Sequence, residues 1–125
     1  MALFSFRHSV KTFSDKRSAD GRAARTGQTA AHLRYITRPK AARVVEAVRL
    51  SDGGFTAAAR AAEADAERRK GRVAERFIVA LPSEATPQQR ATLARAFCER
   101  LTDGKAGYVF AIHDQHANDT SNPHF

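Results

Sequence analysis

The sequence predicts an α+β fold in one domain spanning residues 1–125, and three stretches carry that expectation. "RVAERFIVALP" alternates Phe77, Val79 and Leu81 with Arg76, Ile78 and Ala80 and is stopped by Pro82, the pattern of a half-buried strand. "TPQQRATLARAFCERLTDG" has the signature of a helix start, with Thr86 as N-cap, Pro87 in the first turn and Gln89 three residues after the cap. "GYVFAIHDQ" returns to alternation, with Tyr108, Phe110 and Ile112 on one side and Val109, Ala111 and His113 on the other.

The remaining elements follow in order. "ALFSFRHSV" reads as a first strand, and "KTFSDKRSADGR" as a basic loop whose Asp20 and Gly21 begin a helix. That helix is expected over residues 21–38, ending before Pro39, with Tyr35 in its last turn and Arg25, Gln28, His32 and Tyr35 on one face. Residues 40–50 favour a strand because Val44, Val45 and Val48 are β-branched. After the "SDGG" turn, "FTAAARAAEADAERRK" is an Ala-rich helix with Phe55, Ala58, Ala59 and Ala62 inward and an Asp65–Arg69 pair outward. In the Thr86 helix, Leu93, Phe97 and Leu101, flanked by Ala94 and Cys98, are expected to form the buried stripe, with Gly104 ending the helix.

Composition excludes several classes. The single cysteine, Cys98, cannot form an internal disulfide, and the apolar runs fall far short of the ~18 residues of a membrane span. A cytoplasmic protein without a membrane segment is expected. Residues 1–50 hold 11 Lys+Arg against 3 Asp+Glu, a net +8, whereas residues 51–125 hold 10 against 10. Such polarity points to a polyanionic partner, nucleic acid or an anionic membrane surface, and otherwise to a solvated basic face.

The end of the chain, "AIHDQHANDTSNPHF", raises the question of chemistry. If a strand begins at Pro123, Phe125 faces the core and His124 the opposite side, beside His113 on an adjacent antiparallel strand. A further histidine two residues after His124 would complete an open site for a divalent cation, which acts as a Lewis acid on phosphate. The alternative is a solvated polar loop.

"MALFSF", "AHLRYITR", "AERRKGRVAERFIVALP", "SEATPQQRATLARAF" and above all "YVFAIHDQHANDTSNPHF" together resemble the MobA/MobL family of plasmid relaxases, over nearly the whole chain and in the same order. The resemblance implies a mostly antiparallel sheet flanked by helices, the palm shared with rolling-circle nucleases, incomplete at its C-terminal end. It implies Tyr35 as nucleophile and His113 and His124 as metal ligands, with a third ligand histidine falling past Phe125. The implied activity is nicking of one DNA strand at a transfer origin, giving a 5′-phosphotyrosyl intermediate, with accessory mobilisation proteins as further partners. Single-stranded DNA entering along the basic half would meet Arg25, His32 and Arg38. The cofactor would be manganese, magnesium, zinc or nickel, imidazole favouring those other than magnesium. Some relatives carry acidic residues on the strand entering "ALP" where this chain has Arg76 and Ile78, with only Glu75 nearby, so Glu75 is given no catalytic role, and His116 is read as a loop residue. A rolling-circle replication initiator and a non-catalytic single-stranded-DNA-binding remnant are the competing readings, and a sheet lacking its middle strand would be poorly stable. The initiator is disfavoured by chain order, since Tyr35 precedes the histidines.

Overall fold

The computed structural model describes residues 6–13, 25–50, 52–115 and 122–125. Among them, chain order is β1 (Phe6–Thr12), α1 (Gln28–Ile36), β2 (Val44–Val48), α2 (Gly54–Arg69), β3 (Arg72–Val79), α3 (Pro87–Thr102) and β4 (Tyr108–Ile112). This is the α+β fold the sequence predicts. The expected helix start at Asp20 and Gly21, the first residues of the first strand, and His116 lie outside the described residues. The chain divides into two compact units, and β3 runs from one into the other between Phe77 and Ile78.

Among the described residues, the first unit contains Phe6 and residues 36–50, 78–115 and 122–125. Here β2 pairs antiparallel with β4, Val44 opposite Ile112 and Val48 opposite Tyr108. Past β4, His113 and His124 form an antiparallel bridge, and His124 also bridges Ala80 at the end of β3. Residues 123–125 therefore act as a short inner strand, with Val79 and Phe125 exchanging bonds of 2.8 and 3.0 Å and the Leu81 amide reaching the Pro123 carbonyl at 2.8 Å. Leu81, Ala94, Cys98, Phe110 and Ile112 form the core, with Phe97 and Phe125 packed against it.

The start of α3 is as predicted. The Thr86 hydroxyl accepts the Gln89 amide at 3.1 Å while the Gln89 side chain accepts the Thr86 amide at 2.8 Å, satisfying two donors that a helix end leaves free. Its buried face follows the expected stripe only in part, through Ala94, Cys98 and half-buried Phe97. Leu93 and Leu101 are 47% and 48% exposed, whereas Ala94 and Cys98 are buried. Small residues face inward because Phe110, Ile112 and Leu81 already fill the space between helix and strands, so the helix approaches closely. The helix closes through Asp103 and Gly104, both left-handed at φ 55° and 65°, with the Gly104 amide on the Glu99 carbonyl at 3.2 Å.

The second unit contains, among the described residues, 7–13, 25–35 and 52–77, with β1 paired to β3. β1 continues through Lys11 and Thr12, which the sequence places in a loop; both are buried, and the Lys11 ammonium donates to the Gln28 carbonyl at 3.3 Å. A basic residue closes this strand because its stem packs inside while its tip finds an acceptor. On α2, Ala59 is buried as expected and Phe55, Ala58 and Ala62 are half-buried, but Glu63 and Ala66 are buried too. Asp65 receives Arg68 and Arg69, each at 2.7 Å, on the exposed face.

α1 departs most from expectation. It begins at Gln28 rather than residue 21 and ends at Ile36 rather than Arg38. Gly27, at φ 85°, cannot continue a right-handed helix, and its amide and that of Thr29 donate to the Glu63 carboxylate at 2.8 and 2.9 Å. A carboxylate from α2 thus takes the place of an N-cap in the local sequence.

Candidate metal and nucleic-acid site

Main-chain pairing brings the two predicted imidazoles together. The His113 amide donates to the His124 carbonyl at 2.8 Å and the His124 amide returns to the His113 carbonyl at 3.1 Å. Residues opposed in this way project to the same side of a sheet, and the rings lie 5.2 Å apart between centroids at 72°. Fully buried Pro123 precedes His124, and Phe125 turns to the core against Phe97 and Phe110, at 5.5 and 6.2 Å. The alternation expected for the last three residues is therefore the one observed.

Each ring has one nitrogen occupied by a backbone carbonyl. His113 Nε2 lies 2.8 Å from the Ile36 carbonyl, and His124 Nδ1 lies 2.9 Å from the Asn122 carbonyl. A carbonyl only accepts, so these nitrogens carry protons, and the tautomer this selects leaves the lone pair of each ring on His113 Nδ1 and His124 Nε2. Metal-binding histidines are commonly oriented in this manner. The ring spacing also fits, since imidazole nitrogens about 2 Å from one tetrahedral ion put two ring centroids roughly 5 Å apart. Among the described residues no third His, Cys, Asp or Glu joins the pair.

Asp114 is near in sequence but engaged elsewhere. Its side chain is 2% exposed; Oδ1 accepts Arg43 Nε at 2.6 Å, and Oδ2 accepts Arg43 Nη2 and, at 2.9 Å, Arg90 Nη1. Arg43, despite the opposing effect of burial, and then Arg90 hold its carboxyl below the usual carboxylate range. Sequence reasoning missed this cluster, whose members are scattered along the chain. It also alters the expected charge asymmetry. Arg43 and Arg49, both from the basic half, pair with Asp114 and Glu99 from the neutral half, the latter through bonds of 2.9 and 2.7 Å.

Tyr35 occupies the last turn of α1, as expected, with 62% of its surface exposed. Ile36, whose carbonyl receives the His113 ring, is the next residue along the chain. His32 is half-buried, and its pKa is pushed down to about 4 by burial and by the charges of Arg76 and Lys11. At neutral pH it offers a hydrogen-bonding ring rather than a positive charge. Arg25 is exposed but precedes the helix, so it does not share the helical face with His32 and Tyr35. Arg38 is exposed beyond the helix, its carbonyl accepting the amides of Ala41 and Ala42 at 3.1 and 3.0 Å.

The fold is shared with a solved protein. A structure described as "Molecular Basis of Vancomycin Resistance Transfer in Staphylococcus aureus" superposes on 98% of this chain and 67% of that chain, with a TM-score of 0.63 at 21% identity. No curated protein matches the sequence. The profile of the MobA/MobL family matches residues 57–125, more than half of the 125 residues, and the chain belongs to that family. The matched segment holds both histidines of the pair, whereas Ile36, which orients the His113 ring, precedes it.

Proposed function

We propose that the chain is the tyrosine- and histidine-bearing part of a DNA relaxase that nicks one strand at a plasmid transfer origin. The observation that supports this reading best is the His113–His124 pair, in which main-chain bonds set the register and carbonyls leave one lone pair on each ring. Family membership supports the same reading. A divalent cation bound by these rings, of an identity set by nitrogen donors, would supply Lewis-acid polarisation of the scissile phosphate.

The chain's own residues have distinct tasks. Exposed Tyr35 would attack the phosphorus through its phenolate, forming a 5′-phosphotyrosyl bond as the 3′ oxygen departs and takes up a proton. A phenol of pKa about 10 leaves more readily than an alkoxide, so the 3′ hydroxyl can reverse the step and rejoin the strand. Arg25 and Arg38 would contact phosphates by charge, and His32, neutral, by hydrogen bonding. Such chemistry would take place in the cytoplasm; among the described residues no helix is long and apolar enough to cross a membrane.

Incubation with a labelled origin oligonucleotide and manganese tests the reading. A protein–DNA adduct that survives denaturation is expected from the native sequence and not from Tyr35→Phe, with strong loss in His113→Ala and His124→Ala. Salt-sensitive binding without any adduct would make the chain a binding module instead.

A further inference from the structure

We propose that Asp114 is a positioning residue for the histidine pair and that its negative charge lets the pair accept a cation; this rests on the metal-binding reading above. The carboxylate joins segments that carry both rings. It directly follows His113, and its partner Arg43 donates its own amide to the Ile112 carbonyl at 3.0 Å, fixing the strand end that presents His113. Its other partner, Arg90, reaches the carbonyls of Pro82 and Ser83 at 3.2 and 2.8 Å. Those residues follow Leu81, whose amide holds the Pro123 carbonyl beside His124. One buried anion therefore secures the backbone on both sides of the imidazole pair.

Charge supplies the second half of the argument. Arg43 and Arg90 bring two permanent positive charges to the residue adjoining His113, and Asp114 cancels one of them. Without it, a cation arriving at the rings would meet both charges uncompensated, and a divalent ion would feel the repulsion twice as strongly as a monovalent one. Asp114 does not ligate, since both of its oxygens already accept guanidinium protons.

The test uses cobalt(II), whose visible absorption reports coordination, titrated into the native chain, Asp114→Asn, and the double variant Asp114→Asn with Arg43→Gln. Circular dichroism is recorded on each. The single variant keeps the side-chain shape but lacks the charge, and cobalt affinity is expected to fall at least tenfold. The double variant restores the original local charge and is expected to recover most of that loss, a rescue that damage to folding would not produce. Equal affinity in the native chain and Asp114→Asn, or no recovery in a folded double variant, would overturn the proposal and leave the metal reading standing. Absence of cobalt binding by the native chain would overturn both.

Discussion

The carboxylate of Glu63 accepts the Thr29 amide at 2.9 Å, so the first turn of the helix that ends in Tyr35 is held by a residue from the middle of another helix. Its second oxygen takes the Gly27 amide at 2.8 Å. Burial works against ionisation of Glu63, yet these amides, the Thr29 hydroxyl and Lys11 outweigh it and hold the carboxyl below its usual range. Glu63→Gln keeps the size but replaces one acceptor with a donor facing an amide. We expect it to cost about 2 kcal/mol in urea unfolding, the scale of one lost charge-assisted bond and one unpaired donor. A change within error would mean that α1 starts where it does for another reason.

The imidazole of His32 gives a pH dependence with a definite sign. Its folded pKa of about 4 lies below the ordinary value of 6.5, because of burial and then the charges of Arg76 on β3 and Lys11 on β1. Between those two values the unfolded chain binds more protons, so stability declines as pH falls from about 6.5 towards about 4 and is unaffected above that window. The depressed carboxyls of Glu63 and Asp114 act only lower, below about 4.3. Unfolding of His32→Asn across this range is expected to show a flatter profile than the native chain, and parallel profiles would remove His32 from the account.

The rotation of α3 is testable by substitution at neighbouring positions. Leu93→Lys places a charge where the side chain is already 47% exposed, and its effect on stability is expected to stay within about 0.5 kcal/mol. Ala94→Leu forces extra volume against Phe110 and Ile112 and is expected to cost about 1–3 kcal/mol. If Leu93→Lys proved the more damaging, the leucines would form the buried stripe after all.

The parts legible in the sequence were those decided locally. Thr86, Pro87 and Gln89 contain the whole of their capping box, and strand alternation alone puts Phe125 inside and His124 beside His113. The start of α1 was hidden because its cap comes from Glu63, 34 positions away from Thr29. The α3 face was ambiguous because leucines at helical spacing and the alanine–cysteine row beside them are both regular; volume supplied by β4 and Leu81 decides between them. Asp114 looked like an ordinary polar residue, since its main partner, Arg43, lies 71 positions earlier. Buried charge is seldom readable without its counterion.

The inner strand at residues 123–125 also constrains the order of assembly. β2 and β4 can zip together as soon as both exist, but among the described residues the main-chain bonds linking the end of β4 to the end of β3 run through Pro123, His124 and Phe125. Closure of this layer therefore waits on contacts between segments distant along the chain, the kind that slow a folding reaction. The event that completes the layer is the same one that sets the two imidazoles side by side, so the site cannot exist in a half-assembled protein.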